Sequence, residues 1–250
     1  MESPELEGLK KLRTGFLIFI ALYVVAVALV FTTAGSAIGV LGRGIEALSA
    51  FMALLWVIVA AVVALAVLSL VALVIYIRGG YGKLAQVDHG FGICRMGVTV
   101  LIAGVVVALA GLFSMVAWVA SVVGWAFSIA ERATTSHPGQ WKGLPPDFLL
   151  SPLLAAVGVL IIGGILVLVG WVLAFIVGAF KLNEKYKESL FQAAGILYIV
   201  DIVLLFLGLG GILTLVGHIL MYIGLGSAIN RVAASAQTQT PSSATEKPTL

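Results

Sequence analysis

The feature that most constrains the fold is an almost unbroken apolar run over Phe191–Ile229. As one helix this run would be about 58 Å long, nearly twice the roughly 30 Å hydrocarbon core of a bilayer. The run must therefore fold back on itself, and its clearest turn signal is Gly208-Leu209-Gly210-Gly211 at the midpoint. A turn there predicts a hairpin of two helices of about 18–20 residues, each long enough to span a membrane.

Composition places the whole chain in the membrane class. Hydrophobic residues make up 62% and charged residues 10%, against roughly 45–50% and 25% in soluble domains. This leaves no room for a soluble catalytic domain. The net charge of +3 does not predict a nucleic-acid partner, because the basic residues are spread thinly between apolar runs. Cys94 is the single cysteine, so an intrachain disulfide is excluded.

Four further apolar runs predict four more membrane helices. They are Thr14–Ala34, Leu48–Ile77, Met96–Ala130 and Pro152–Phe180. The third run is interpreted as one span to about Trp118, followed by an interfacial extension to Glu131. The predicted loops between the runs are Gly35–Ala47, Arg78–Arg95, Glu131–Ser151 and Lys181–Glu188. Within the third of these loops, the Pro145-Pro146 pair is expected to exclude a helix.

The fold class that follows is an all-α integral membrane protein with six transmembrane helices arranged as three hairpins. Residues 1–13 are predicted to form a cytoplasmic N-terminal segment, 14–231 a six-helix membrane domain, and 232–250 a disordered C-terminal tail. A degenerate repeat is hinted at where Arg13-Thr14-Gly15 and Arg95-Met96-Gly97 open the first and third spans alike.

The distribution of basic residues predicts the orientation. With six spans, the N-terminus, the second and fourth loops and the tail lie on one side, with three, three, three and two Lys or Arg residues, eleven of the fourteen in the chain. Cytoplasmic loops carry the excess of Lys and Arg. Both termini are therefore predicted to be cytoplasmic, and the location is the cell membrane.

Two ionisable residues lie inside the final apolar run. In a hairpin centred between Leu209 and Gly210, Asp201 and His218 fall at the same depth, near the membrane midplane. Tyr198 shares a face with Asp201, and Thr214 and Tyr222 share one with His218. These five residues predict an intramembrane polar seam. A buried ionisable pair can serve as a proton relay or ion site, or as a structural hydrogen bond between helices, and both alternatives stay open.

The other candidates are weaker. Gly170, Ala174 and Gly178 lie four residues apart on the fourth span and predict a small-residue seam for close helix packing. Asp88, His89 and Cys94 lack the repeated spacing of metal ligands, so a solvated loop is the preferred interpretation and no metal site is predicted. No Walker loop, HExxH, GxSxG or CxxC motif occurs. The expectation is a protein without catalytic residues or cofactor, and not an enzyme.

Several segments also carry a resemblance to a known family. They read GLKKLRTGFLIF from Gly8, YGKLAQ from Tyr81, FGICRMGVTVLIAG from Phe91, FKLNEKYKES from Phe180 and GGILTLVGHILMYIGLGSAI from Gly210. Over most of residues 8–231 the chain resembles an archaeal multi-pass membrane family, domain of unknown function 973. The resemblance implies an archaeal cell membrane and brings no activity or site residue. The scarcity of asparagine in this region fits a thermophile.

Two functions remain in view from the sequence. The first is packing or interaction in the lipid bilayer, as a partner subunit or scaffold that binds another membrane protein or a second copy of the chain. The alternative is a small permease or proton-coupled transporter that uses Asp201 and His218.

Overall fold

The computed structural model describes residues 3–40, 46–135, 146–207 and 210–238, and its regular elements are all helical over these ranges. In chain order they are α1 (Pro4–Val40), α2 (Glu46–Ala72), π1 (Leu73–Arg78), α3 (Gly79–Val87), a 3₁₀ turn (His89–Phe91), α4 (Gly92–Thr135), α5 (Pro146–Trp171), π2 (Val172–Ile176), α6 (Val177–Tyr186), α7 (Ser189–Phe206) and α8 (Ile212–Thr238). The segments π1 and π2 are π-helical turns inserted without a break between α-helices. Each of the six predicted spans thus corresponds to a helix where the structure describes it.

Five helical stretches in the described ranges are long and apolar enough to cross a membrane. They are Pro4–Thr33, Trp56–Val87, His89–Trp125, Ser151–Tyr186 and Ile212–Ala236. The remaining apolar helix, Ser189–Leu205, is shorter. The chain therefore has the helices of a membrane protein, and the fifth of the six predicted spans is the short one.

The chain divides into two compact units. The first comprises Met1–Val98 and Trp171–Leu250, and the second comprises Thr99–Gly170, so the boundaries fall within α4 and at the end of α5. In the first unit α1 packs against α2, α3 and α8, while α7 packs against α6 and α8. Its largest fully buried side chains include Phe16, Tyr81, Phe91, Phe191 and Tyr198.

Two contacts in the first unit repeat the same construction. A Cβ atom added to Gly15 of α1 would lie 2.5 Å from Ile77 Cδ1 in π1, and one added to Gly97 of α4 would lie 2.4 Å from Leu173 Cβ in π2. Each glycine follows an arginine by two residues. In each case a π-helical segment packs directly against the glycine. The repeated Arg-x-Gly triplet of the sequence thus corresponds to a repeated helix contact.

The small residues of the fourth span accommodate a tyrosine. Tyr81 of α3 is fully buried, and its hydroxyl donates to the carbonyl oxygen of Ala174 in π2 at 2.8 Å. The same hydroxyl sits over Gly178, where an added Cβ would lie only 2.1 Å away. Gly170, Ala174 and Gly178 are all buried. Ala174 and Gly178 therefore provide room for one aromatic ring.

Ion pairs link several chain segments at one end of the first unit. The pairs are Glu7 with Lys11 (2.8 Å) and Lys83 (2.8 Å), Glu5 with Lys185 (3.0 Å), and Glu188 with Arg231 (2.7 Å). They join the N-terminal segment, the second and fourth predicted loops and the end of α8. These are the four segments that the distribution of basic residues assigns to a single side of the membrane.

Helices extend into much of what the sequence assigns to loops. Arg78–Val87 is helical, and the turn to α4 is confined to Asp88 and the 3₁₀ turn. The predicted loop Lys181–Glu188 shrinks to Lys187 and Glu188, with Lys187 in the left-handed region at φ 52°. In the predicted Gly35–Ala47 loop, the described residues up to Val40 and from Glu46 are also helical, and 41–45 lie outside the described residues.

Two further predictions are wrong: that the Pro145-Pro146 pair excludes a helix, and that residues 232–238 are disordered. Pro146 does not exclude a helix but begins α5, because proline at the first helical position forfeits no hydrogen bond. Residues 232–238, predicted as disordered, continue α8, consistent with the high helix propensity of their alanines. The rest of the predicted tail lies outside the described residues.

The second unit is an antiparallel pair formed by α4 and α5. Its glycines provide the close contacts: a Cβ on Gly104 would lie 2.5 Å from the Val167 nitrogen, and one on Gly163 would lie 2.6 Å from the Ala108 nitrogen. Backbone therefore lies against backbone, as in other membrane helix pairs with small residues at the interface.

This seam gives a matched pair of substitutions at adjacent positions. Gly163→Ala is expected to lower the free energy of unfolding by about 1–3 kcal/mol, because the added methyl meets backbone atoms that move only with the helix. Gly164→Ala is expected to be neutral or stabilising by up to about 1 kcal/mol, since its Cβ would meet nothing within 4 Å. Denaturant unfolding in detergent micelles measures both, and equal stabilities would contradict this packing.

Candidate functional site

Asp201 holds the turn of the final hairpin. The residue is 6% exposed, and its two carboxylate oxygens accept from the backbone N–H of Gly211 at 2.9 and 3.0 Å. The hydroxyl of Thr214 donates to the same carboxylate at 2.5 Å. Gly211 directly precedes α8, so Asp201 of α7 satisfies an N–H that the helix itself leaves without a partner. Its negative charge also faces the positive end of the α8 dipole.

His218 lies in an enclosure of aromatic rings. Its Nδ1 atom is 2.7 Å from the carbonyl oxygen of Thr214 and 3.1 Å from the hydroxyl of Tyr198. The carbonyl oxygen can only accept, so Nδ1 carries a proton, and in the neutral ring Nε2 has the lone pair. The four rings whose centroids lie 5.4–5.7 Å from the imidazole belong to Phe16, Phe19, Phe175 and Tyr198.

The structure brings four of the five predicted seam residues together, with partners different from those predicted. Asp201 bonds to Thr214, and His218 to Tyr198, whereas the predicted direct pair of Asp201 with His218 is not formed. The physical reason is the unsatisfied N–H at the start of α8, which attracts the carboxylate toward the turn. Thr214 lies between the two ionisable residues, with its hydroxyl on Asp201 and its carbonyl oxygen on His218.

The hydrogen bonds through Thr214 do not provide for proton transfer between Asp201 and His218. A proton relay needs groups that accept a proton on one side and release one on the other. The atom of Thr214 that meets His218 is a backbone carbonyl oxygen, which carries no exchangeable proton. The direct hydrogen bonds therefore tie the two residues together mechanically, but they do not form a proton path from Asp201 to His218.

Tyr222, the fifth predicted member, belongs to a different contact. Its hydroxyl accepts from the Arg13 guanidinium at 3.3 Å, and the guanidinium carbon lies 4.6 Å from the centroid of the Tyr222 ring. Tyr222 thus joins α8 to α1 by a cation–π contact and a hydrogen bond. It is not part of the Asp201 and His218 cluster.

A cavity of about 220 Å³ reaches His218 from between α1, α2 and α8. Apolar side chains form most of its wall, and Tyr23, Ser69 and His218 supply its polar groups. The Tyr23 hydroxyl also lies close to Gly211: a Cβ added to Gly211 would lie 2.7 Å from the hydroxyl oxygen. The φ angle of Gly211 is 112°. This cavity is the place in the cluster where a ligand has room.

Several residues of the site carried no sequence signal. Phe16, Phe19 and Phe175 sit in other helices, and an apolar aromatic residue in a membrane span is unremarkable by itself. One signal was available: α8 begins after Gly210-Gly211 with no Ser, Thr, Asp or Asn at the cap position. A cap then has to come from elsewhere, and the nearest carboxylate in the same hairpin is Asp201.

Two of the three loop candidates for a metal site are placed for other purposes or out of reach. The Asp88 carboxylate accepts from the backbone N–H of Gly90 at 2.8 Å, and the Cys94 side chain is fully buried. Across the described ranges, no group of three or more His, Cys, Asp or Glu residues is placed to hold a metal ion.

Comparison with known families identifies the chain. The profile of the family described as Protein of unknown function (DUF973) matches residues 5–249. The chain belongs to the DUF973 family. Comparison with curated proteins and with solved structures gives no significant match. Membership in DUF973 carries no stated activity, so the role of the cluster has to be argued from its geometry.

Proposed function

We propose that this protein acts by binding within the bilayer, as a partner subunit or scaffold for another membrane protein or for a second copy of itself. On this proposal it is not an enzyme. The hydrogen bonds of Asp201 with Thr214 and of Tyr198 with His218 connect α7 to α8. On this proposal their role is structural.

The observation that carries the proposal is the character of the Thr99–Gly170 unit. It has no ionisable side chain from Thr99 to Ala130 or from Phe148 to Gly170. Its own seam is closed by glycines, and large apolar side chains are exposed on both helices, with Phe113 50% and Ile165 56% exposed. Along these two stretches the unit offers no ionisable group for catalysis, and on this proposal it acts through shape and apolar contact. Such surfaces mark interaction sites in membranes as well as lipid contact.

Photo-crosslinking tests the proposal directly. A photo-reactive amino acid at Phe113 or Ile165, activated in native membranes, is expected to give an adduct of one defined protein mass. The control position is Val30 of α1, which is 65% exposed and should give lipid adducts. A doubled mass would identify a second copy of the chain. Lipid adducts at all three positions would contradict the proposal.

A second candidate function is a small permease or proton-coupled transporter, and the cavity at His218 favours it. Nε2 of His218 makes no hydrogen bond in the described part of the chain, so it is available to a ligand or proton. In proteoliposomes with entrapped pyranine, an acid pulse would then give proton entry that Ala26→Phe, which fills the cavity, abolishes. The partner proposal predicts entry at the rate of empty vesicles.

We also propose six spans in the cell membrane with both termini cytoplasmic. In a Cys94→Ala background, a cysteine at Trp141, outside the described residues, is expected to react with an impermeant maleimide in intact cells. A cysteine at Lys187, an exposed position, should react only after permeabilisation. The reverse pattern would overturn the orientation, and labelling of both in intact cells would overturn the number of spans.

A further inference from the structure

A second cavity, of about 240 Å³, lies in the first unit and is lined with basic side chains. Lys11 comes from α1, Arg78 from π1, Lys83 from α3 and Arg95 from α4. Four cations from four elements thus converge on one space. The cluster around His218 does not include any of them.

Among the described residues, the two lysines of this cavity share a single carboxylate. Glu7 bridges the ammonium groups of Lys11 and Lys83, each at 2.8 Å, so one negative charge is shared by two positive ones. Nε of Arg78 is buried and makes no hydrogen bond. A buried donor without an acceptor costs about 1–3 kcal/mol, and an anion in the cavity would remove that cost.

The backbone leaves the cavity open. Gly79 and Gly82 form part of its wall, and a Cβ on Gly82 would lie no closer than 3.9 Å to Arg95. An added methyl group therefore fits at this position in ordinary contact, and glycine keeps the space empty. We expect a larger side chain at position 82 to extend into the cavity.

The position along the chain indicates the kind of anion. Arg78 directly follows the apolar run that ends at Ile77, and Arg95 directly precedes the run that begins at Met96. Both guanidinium groups therefore belong at the boundary of the hydrocarbon core, the level of lipid phosphates. Guanidinium groups match phosphate oxygens in geometry, and basic pockets between membrane helices bind anionic head groups.

We propose that this cavity binds a phosphate group, with Arg78 and Arg95 as guanidinium donors and Lys11 and Lys83 as ammonium donors. The phosphate belongs either to a lipid head group or to a soluble anion, and the two sources have the same chemistry at the site.

Binding is measured on the full-length protein in neutral detergent, by native mass spectrometry and by the shift in thermal unfolding. One arm titrates phosphatidylglycerol, and the other titrates inorganic phosphate at constant ionic strength. Saturable binding is expected in at least one arm. Arg78→Gln should weaken it about tenfold or more, because it removes charged hydrogen-bond donors. Gly82→Leu should weaken it similarly by occupying the cavity.

Two control variants separate the site from net charge and from folding. Lys187→Asn removes one positive charge at an exposed position and should bind like the wild type. Gly82→Ala adds only a methyl group in ordinary contact and should also retain binding. Saturation by phosphatidylglycerol alone assigns a lipid head group, and competition by inorganic phosphate assigns a soluble anion. Absence of saturable binding in both arms, or equal affinity of wild type, Arg78→Gln and Gly82→Leu, would overturn the proposal.

Discussion

Gly178→Ala is expected to lower the free energy of unfolding by about 2–4 kcal/mol, a large effect for one methyl group. The added Cβ would lie 2.1 Å from the Tyr81 hydroxyl oxygen. Tyr81 is fully buried, so its ring has no open space to enter. Moving it also breaks the hydrogen bond to Ala174. Denaturant unfolding in detergent, followed by circular dichroism, measures the loss.

Two comparisons show whether the hydroxyl is the cause. Gly92→Ala, where an added Cβ meets nothing within 4 Å, should be within about 0.5 kcal/mol of the wild type. Tyr81→Phe alone should cost about 1 kcal/mol for the lost hydrogen bond. Combined with Gly178→Ala, it should recover part of the stability, because the closest atom is gone. Wild-type stability of Gly178→Ala would show that Tyr81 does not pack there.

Asp201→Leu is expected to cost about 2–3 kcal/mol. It leaves the Gly211 N–H and the Thr214 hydroxyl without their acceptor in a setting with little water. Asp201→Asn keeps one carbonyl oxygen and should lose about 1 kcal/mol. Val203→Leu, on an exposed part of the same helix, serves as the control and should change stability by less than about 0.5 kcal/mol. A loss for Asp201→Leu no larger than for Val203→Leu would contradict the capping role.

The helices were predictable because apolar runs of this length have few alternatives in a membrane. The predicted break between the last two helices is confirmed, since α7 ends at Phe206 and α8 begins at Ile212, although residues 208 and 209 lie outside the described residues. A pair of glycines that interrupts an apolar run can be recognised from the sequence alone, because glycine by itself favours a turn. The presence of a polar cluster near Asp201 and His218 could also be recognised from the sequence.

The glycines of the second predicted loop show where this reasoning fails. Gly80 and Gly82 suggested a loop, but both lie in α3, and an added Cβ on Gly80 would lie 2.7 Å from Leu12. In a soluble sequence such glycines usually mark a turn, whereas here one marks a close helix contact and another the wall of a cavity. The sequence does not distinguish these uses, because the partner of each glycine lies on another helix.

The partners of Asp201 were missed for a related reason. Equal depth in an ideal hairpin pairs Asp201 with His218. At the start of α8, however, the N–H of Gly211 has no partner within its own helix, and it takes the Asp201 carboxylate instead. Depth is a geometric guide, and an unsatisfied backbone donor in an apolar medium outweighs it. Three of the four aromatic rings around His218 come from α1 and π2, which only the tertiary structure brings to the site.

Asp201 stabilises the final hairpin through its hydrogen bond to Thr214, and a double-mutant cycle measures this coupling. Asp201→Ala and Thr214→Val are measured singly and together, beside a second cycle of Asp201→Ala with His218→Leu. We expect a coupling of at least about 0.5 kcal/mol between Asp201 and Thr214, and a smaller one between Asp201 and His218. Additive effects in the first cycle, with strong coupling in the second, would contradict this expectation.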